Sequence, residues 1–151
     1  KQNTCELETK LERIRVLSKG DPKMEFKWLV QHFNKENLLY CFHELDGKKA
    51  VGIDGKNKDE YAEKLEENID SLVARMKTMS YYPAPVRQVL IPKGDGKFRP
   101  LGISNFEDKM VQSLFNKILS AVYEPIFVNE SYGFREGRSC HDAVKDVYSF
   151  L

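Results

Sequence analysis

The residues best suited to do chemistry lie in the segment IPKGDGKFRPLGISN, residues 91–105. It holds two lysines and one arginine among three glycines, so cationic side chains lie beside backbone that another molecule can approach closely. Lysine and arginine side chains are the groups that bind phosphate oxygens, and arginine can engage two oxygens at once. A plain polar hairpin has the same composition, and the residue types alone leave both interpretations open.

The pattern around these cations predicts an antiparallel β-hairpin. Two β-rich runs, VRQVLI and FRPLGIS, are separated by the triplet Gly-Asp-Gly. We expect a three-residue loop, which pairs Lys93 with Lys97 and Ile91 with Arg99 and places Arg87 on the same face as those cations. A two-residue loop would instead place Lys93 and Arg99 on opposite faces.

Charge and composition limit where a phosphate site could be. The chain has 151 residues and a net charge of +1, whereas residues 85–104 carry four basic residues and one acidic residue. The positive charge that could bind phosphate is therefore concentrated in the hairpin. The apolar runs are too short to span a membrane. The cysteines are odd in number and scattered, which predicts neither a disulfide framework nor a zinc site and favours a reducing compartment.

Amphipathic helices are predicted on both sides of the hairpin. Before it, we expect a helix ending at Gly20, a second from Asp21 to about Phe33, a third over residues 38–45 and a long one over residues 58–79. The aromatic and aliphatic residues expected to build the core of this region are Trp28, Phe33, Leu38, Leu39, Tyr40 and Phe42.

After the hairpin, two further helices are predicted from their caps. Ser104 and Glu107 have the spacing of a capping box, and Pro125 is expected to stop the helix that follows. Ser139 with Asp142 is expected to open the last helix.

Two other glycine-bearing segments are candidates for contact with a ligand. LDGKKAVGIDG, residues 45–55, is predicted to be a loop whose glycines allow close backbone approach; an exposed connector has the same composition. SYGFREGRSCHDAV, residues 131–144, places Arg135 and Arg138 in a turn where they could reach separate phosphates.

Taken together, three stretches resemble the first three sequence blocks of group II intron-encoded reverse transcriptases, also called maturases. They are GKKAVGIDGKNKDEYAEKL, YYPAPVRQVLIPKGDGKFRPLGISNFEDKMVQ and SYGFREGRSCHDAV, in the order of the family. The resemblance covers about residues 38–151. Gln88 stands where a second basic residue is common, and Ser104 with Asn105 replaces a pair that usually contains proline.

The resemblance implies an α+β, mainly helical fold: a reverse-transcriptase fingers subdomain in which a small antiparallel hairpin, about residues 86–104, packs on amphipathic helices. Residues 1–37 would be a helical N-terminal extension, and residues 38–151 the fingers subdomain, ending before the catalytic motifs of the palm. No catalytic residue and no metal ligand is expected in this chain, because the aspartates that hold Mg²⁺ in the intact enzyme lie downstream in the family.

The family also implies roles for individual residues. Lys93 and Arg99 would hold the triphosphate of the incoming deoxynucleotide. The residues expected to contact template or RNA are Arg87, Leu101, Gly102, Ile103, Gly52, Gly55, Arg135 and Arg138. Those expected to dock on intron RNA are Lys10, Arg13, Arg15, Lys19, Lys23 and Lys27, although neighbouring acidic residues make that patch modest.

The implied function is RNA-directed DNA synthesis together with splicing and retrohoming. The expected partners are group II intron RNA, an RNA template, a DNA primer and a deoxynucleoside triphosphate; a homodimer is possible, no membrane is involved, and the location is the bacterial cytoplasm. This chain alone is expected to bind but not to polymerise. Two alternatives remain: a non-catalytic RNA-binding module that assists splicing, and a helical self-association domain whose exposed sheet edge pairs across a dimer.

Overall fold

The computed structural model describes the backbone of residues 2–150 and the side chains of residues 6–149. Within those residues, six α-helices and one two-stranded antiparallel sheet form the regular structure. Their order is α1 (Gln2–Gly20), α2 (Lys35–Glu44), α3 (Lys58–Ala62), α4 (Leu65–Lys77), β1 (Arg87–Gly94), β2 (Lys97–Ile103), α5 (Phe106–Tyr123) and α6 (Cys140–Phe150), with 3-10 helices at Leu29–His32 and Glu124–Ile126. The α+β, mainly helical class is confirmed.

The chain forms two compact units. The first contains the start of α1 and residues 26–116, and the second contains residues 8–25 and the chain from residue 117 onward. The family resemblance implies a boundary at residue 37, between an N-terminal extension and a fingers subdomain. The division into two compact units does not test that boundary, which stays a prediction.

The core of the first unit is built around three aromatic rings. The Phe42 ring centroid lies 5.8 Å from that of Phe106 and 6.5 Å from that of Tyr61, and the Tyr61 and Phe106 centroids are 5.5 Å apart. Around them are further buried side chains: Phe33, Leu38, Cys41, Ile69, Leu72, Met76, Met110, Val111 and Leu114. Burial of each such side chain stabilises the fold by about 1.5–3 kcal/mol.

The segment between α1 and α2 differs from the prediction. The expected helix from Asp21 to Phe33 is absent there, and only the 3-10 turn Leu29–His32 forms. Trp28, expected in the core, is 78% exposed and has a positive φ of 66°. A bulky residue in this conformation cannot continue a helix, and its side chain is directed away from the packed face. The core prediction is therefore wrong for Trp28 and right for Phe33, Leu38 and Phe42, which are buried.

The long helix predicted over residues 58–79 is two helices. It is interrupted at Glu63 and Lys64, and the Asn68 side chain donates to the Tyr61 carbonyl over 3.0 Å at the break. Asn57 caps α3 through a capping box with Glu60. Periodicity alone did not reveal the break because the apolar spacing continues across it.

The helix that follows the hairpin begins one residue later than its predicted cap requires. α5 starts at Phe106, so Asn105 precedes it rather than Ser104. The carboxylate of Glu107 accepts hydrogen bonds from Tyr61 and Arg75. The predicted capping box is therefore wrong, whereas the stop at Pro125 is confirmed, since α5 ends at Tyr123.

In the second unit, α1 and the end of α5 bury Leu11, Ile14, Ile118 and Ala121. The buried Ser18 hydroxyl donates to the Val122 carbonyl. The predicted cap of α6 is confirmed by reciprocal hydrogen bonds: the Asp142 amide donates to Ser139 Oγ over 3.2 Å, and the Ser139 amide donates to Asp142 Oδ2 over 3.0 Å. The reciprocal bonds fix the start of α6.

Candidate nucleic-acid interface

The turn of the hairpin is shorter than predicted, and the predicted register holds from Arg87 to Pro92 but not next to the turn. Its two central residues are Asp95 and Gly96, both with positive φ, as a type I′ turn requires. Gly94 pairs with Lys97, so the expected pairing of Lys93 with Lys97 is wrong.

A bulge restores the register that a three-residue loop would have given. Pro92 pairs with Phe98 and Gly94 with Lys97, which leaves Lys93 unpaired between them. The extra residue offsets the shorter turn, and Ile91 lies opposite Arg99 as predicted. A bulge redirects side chains locally, so the strand alternation does not assign Lys93 to a face.

The register sorts charge between the two faces of the hairpin. Directly paired residues share a face, and side chains alternate along each strand. One face carries Arg87, Val89, Ile91, Lys97, Arg99, Leu101 and Ile103; the other carries Gln88, Leu90, Pro92, Phe98, Pro100 and Gly102. Among the residues that the alternation assigns, three cations therefore lie on the first face, which we call the cationic face, and none of those on the second face is charged.

The cations of the hairpin are available to a ligand. Arg87, Lys93, Lys97 and Arg99 are all exposed. No acidic group in the described part of the chain forms an ion pair with any of them. An anion could thus bind them without first displacing an internal partner.

The three residues expected beside the templating base lie at the base of the hairpin on β2. Leu101 is 45% exposed and Ile103 is half-buried, and both lie on the cationic face. Gly102 lies on the other face, where a Cβ would come within 2.9 Å of Val86 Cγ2. Gly102 therefore allows the close packing of the segment that leads into β1.

The two candidate glycines of the loop at residues 45–55, which we call the glycine loop, have different roles. Gly52 is buried against the start of α5, where a Cβ would lie 2.2 Å from Asn105 Oδ1. Its small size serves internal packing. Gly55 is exposed with a φ of 70°, and a Cβ added to it would meet no atom within 4 Å, so its surface is open to a ligand.

Arg135 is committed to contacts within its own unit. Its Nε and Nη2 atoms lie 2.8 and 2.6 Å from Glu124 Oε1, and Nη1 donates to the carbonyls of Val128 and Ser131. The side chain is only 8% exposed, and the guanidinium lies 5.1 Å from the Phe127 ring centroid. These contacts stabilise the turn and leave little of the guanidinium for a phosphate.

Arg138 is less enclosed than Arg135. It donates to the Asn129 carbonyl and lies 5.4 Å from the ring centroid of Tyr132. The same turn gives Phe134 a positive φ of 57° and leaves its ring fully exposed. One turn therefore holds both the exposed ring of Phe134 and the half-buried Arg138.

The cations expected to dock on intron RNA lie on and after α1. Lys10, Arg13, Lys19, Lys23 and Lys27 are exposed, and Arg15 is half-buried. Arg15 forms an ion pair with Glu12, with Arg15 Nη1 3.1 Å from Glu12 Oε2. In this pair an acidic neighbour offsets one positive charge of the patch.

Sequence reasoning missed the polar cluster in the first turn of α5. Glu107 accepts from the Tyr61 hydroxyl over 3.1 Å and from Arg75 over 2.7 Å. Burial, more than the neighbouring Glu107, raises the pKa of Tyr61 well above its usual range. Asp108 is buried and accepts from the Tyr81 hydroxyl, and burial followed by this bond raises the pKa of Tyr81. The sequence did contain a sign of this cluster. Three polar residues, Asn105, Glu107 and Asp108, lie at the start of a helix that needs only one capping residue.

The described residues contain neither a cluster of metal ligands nor a helix that could span a membrane. Among the described side chains, no three His, Cys, Asp or Glu residues lie close enough to share a metal ion. Cys140 is an exposed free thiol and Cys41 is buried, while the side chain of Cys5 lies outside the described residues. No helix within residues 2–150 combines the length and the apolar character that a bilayer crossing needs.

Comparison with known proteins identifies the relatives of the chain. No protein-family model matches it. It is 36% identical over 139 residues to the group II intron-encoded protein LtrA of Lactococcus lactis, which is 91% of this chain and 23% of LtrA. It is 32% identical over 143 residues to an uncharacterized 91 kDa protein in the cob intron of Schizosaccharomyces pombe, covering 93% of this chain and 18% of that protein. Protein YkfC of Escherichia coli is 38% identical over 101 residues, 67% of this chain and 26% of YkfC.

The chain thus spans less than a quarter of the length of LtrA, while nearly all of the chain takes part in the match. The matched region includes the hairpin, the glycine loop and the turn that holds Arg135, because it extends over nine tenths of the residues. The chain belongs to the family of group II intron-encoded proteins, as its three motif-bearing stretches indicated.

Proposed function

We propose that the hairpin binds the triphosphate of an incoming deoxynucleotide in an RNA-directed DNA polymerase, with Lys93 and Arg99 as the phosphate-binding residues. The observation that carries this proposal is the group of exposed cations on the hairpin, none of which forms an ion pair with a described acidic group: Arg99, Lys97 and Arg87 share one face, and Lys93 lies in the bulge of β1.

The chemistry follows from the charge of a triphosphate. Negative charge spreads over the phosphate oxygens as the transferring group moves, and cations held in place stabilise that charge. Arg99 can engage two oxygens through its planar guanidinium, and Lys93 supplies a compact charge from the bulge. In the family, Mg²⁺ would assist the attacking and leaving oxygens, but the described residues offer it no ligand cluster.

We further propose that the exposed cations on and after α1 dock on group II intron RNA, and that Gly55 and Arg138 lie near the template strand. The support is that these cations are solvent-facing and that Gly55 leaves its backbone open. Arg135 and Gly52 are less suited to this role, because internal contacts occupy both.

The test is a fluorescent RNA stem-loop derived from a group II intron, titrated across a salt series. We expect an α1 variant with its cations neutralised to lose affinity for the RNA. Its affinity should also depend less on salt concentration, because fewer phosphate contacts form and fewer counterions are released on binding. Lys93→Ala/Arg99→Ala should keep both the affinity and its salt dependence. Negligible binding by the unmodified chain, with no difference between variants, would overturn the RNA proposal.

A second titration, with a fluorescent deoxynucleoside triphosphate, tests the hairpin. Lys93→Ala/Arg99→Ala should weaken binding at least tenfold, because each charge-assisted bond contributes about 1.5–3 kcal/mol. Lys64→Ala/Lys77→Ala is the matched control, since it removes two positive charges at the start and end of α4, outside the hairpin. Equal losses in the two variants would mean that the chain attracts anions only through its net charge.

One observation favours self-association as a second candidate. The uncharged face of the hairpin exposes Leu90 and Phe98, at 58% and 60%. A homodimer pairing these faces would appear as a concentration-dependent mass in sedimentation, and it would be lost in Phe98→Ser but retained in Lys97→Ala.

A further inference from the structure

The hairpin requires support from outside its own two strands. A two-stranded ribbon is at best marginally stable in water, and here nearly all of β1 and β2 is exposed on both faces. Its direction is therefore determined at its base, where the chain enters β1 and leaves β2.

Asp108 holds the entry to β1. It is 4% exposed, and its carboxylate accepts from the Tyr81 hydroxyl over 2.5 Å and from the Ala84 amide over 3.1 Å. Asp108 is the third residue of α5, where the helix dipole stabilises a negative charge. Within the described side chains no cation forms an ion pair with it, so its hydrogen bonds to the entry segment are its main compensation for burial.

The chain that leaves β2 also leads directly to the start of α5. β2 ends at Ile103 and α5 begins at Phe106, so only two residues separate the strand from the helix. Near this end, Gly102 packs against Val86, which lies immediately before β1. The segment that enters β1 and the segment that leaves β2 are therefore both attached at the first turn of α5.

The glycine loop is attached to that turn as well. Asn105 Oδ1 accepts from the Asp54 amide over 3.3 Å, and Asn105 is only 9% exposed. Gly52 fits against the Asn105 backbone, where any Cβ would come within 2.6 Å of it. Lys109 donates to the Ala50 carbonyl one turn further along the helix.

We propose that Asp108 and Asn105 are positioning residues: Asp108 sets the direction of the hairpin, Asn105 sets the glycine loop, and one helical turn thereby fixes the spacing between the two segments. The identity of what they hold, a nucleotide and a template strand, rests on the proposed function. The anchoring itself does not depend on it.

Hydrogen exchange on the chain, without any ligand, tests the anchoring. Asp108→Ala should raise the exchange rates of the hairpin amides about tenfold and leave the glycine loop unchanged, and Asn105→Ala should do the reverse. Asp108→Asn should restore most of the protection, because its amide can accept from Ala84 and donate to the Tyr81 oxygen.

The matched control is Glu107→Gln, which changes the neighbouring carboxylate of the same turn. Its partners are Tyr61 and Arg75, so it should leave both segments protected. If Asp108→Ala, Asn105→Ala and Glu107→Gln all raise exchange equally throughout the chain, the turn acts only through overall stability and the proposal is overturned.

Triphosphate titration of the same variants separates this proposal from the proposed function. If Asp108→Ala loosens the hairpin and weakens triphosphate binding while RNA affinity is kept, both proposals stand. If the unmodified chain does not bind a triphosphate but the exchange pattern is as expected, the anchoring stands and the nucleotide role fails. If triphosphate binding is unaffected by a loosened hairpin, Asp108 does not position the binding groups.

Discussion

The guanidinium of Arg135 closes a turn of its own chain. It joins Glu124 to the carbonyls of Val128 and Ser131, and its planar array of donors fits three acceptors at once. Lysine has the same charge but cannot match that geometry. Arg135 therefore makes three of the hydrogen bonds that hold the conformation of residues 128–135.

Arg135→Ala should lower the free energy of unfolding by roughly 1–3 kcal/mol, because it leaves two carbonyls without their partner and removes an ion pair with Glu124, whose side chain is 43% exposed. Urea denaturation measures the change. Arg138→Ala, which removes an arginine with fewer hydrogen bonds from the same turn, should cost less than about 1 kcal/mol. A stable Arg135→Lys variant with reduced RNA affinity would contradict the structural role.

At the scale of elements, the hairpin depends on its turn. Gly94, Asp95 and Gly96 have positive φ in succession, with values of 92°, 49° and 69°. Only glycine adopts this region without strain, although aspartate tolerates it better than most residues.

Gly96→Ala should destabilise the hairpin by about 1 kcal/mol, because alanine at a positive φ is strained. The measurement is hydrogen exchange of the amides that pair β1 with β2. Gly133→Ala is the control, since Gly133 has no neighbour within 4 Å of an added Cβ and no positive φ. An unchanged hairpin in Gly96→Ala would mean that the turn can adopt another type.

Local signals predicted the elements that depend on adjacent residues. The hairpin, the cap of α6 and the stop of α5 follow from turn and capping residues within a few positions of each element. The bulge at Lys93 did not follow, because it exchanges one loop residue for one strand residue and leaves the composition unchanged. The prediction that Trp28 lies in the core was wrong because no neighbouring residue indicates that Trp28 adopts a left-handed backbone conformation.

At the scale of the molecule, the buried tyrosines make stability depend on alkaline pH. Burial raises the pKa of Tyr61 and of Tyr81 above the ordinary value of 10.0. Above pH 10 the unfolded chain releases these protons while the folded chain keeps them, so the unfolded state binds fewer protons. The stabilisation present below pH 10 is then lost as pH rises toward the folded pKa.

The free energy of unfolding should therefore fall above pH 10, by up to about 1.4 kcal/mol per pH unit for Tyr61 and by less for the more exposed Tyr81. Urea denaturation in a pH series from about 8 to about 11, which brackets the ordinary tyrosine pKa, measures the decline. Tyr61→Phe, which cannot ionise, should show a shallower decline. An identical decline in Tyr61→Phe would contradict the assignment to Tyr61.

The long-range polar contacts were beyond sequence reasoning for a physical reason. Asp108 bonds to Tyr81 and Ala84, more than twenty positions earlier, and Asn105 bonds to Asp54 across 51 positions. No periodicity or cap spacing encodes such a pairing. The family resemblance identified the cationic residues of the hairpin, but it did not identify the helical turn to which the hairpin is attached.

The bulge also has an evolutionary consequence. Lys93 has no partner on β2, whereas Pro92, Gly94 and all the β1 residues before them are paired. Deleting Lys93 alone would leave each of these pairs in place and would not exchange the two sides of the ribbon. An insertion or deletion elsewhere in the strands would shift the alternation and mix charged with uncharged side chains. A lineage could thus gain or lose this lysine in a single event without rebuilding the rest of the hairpin.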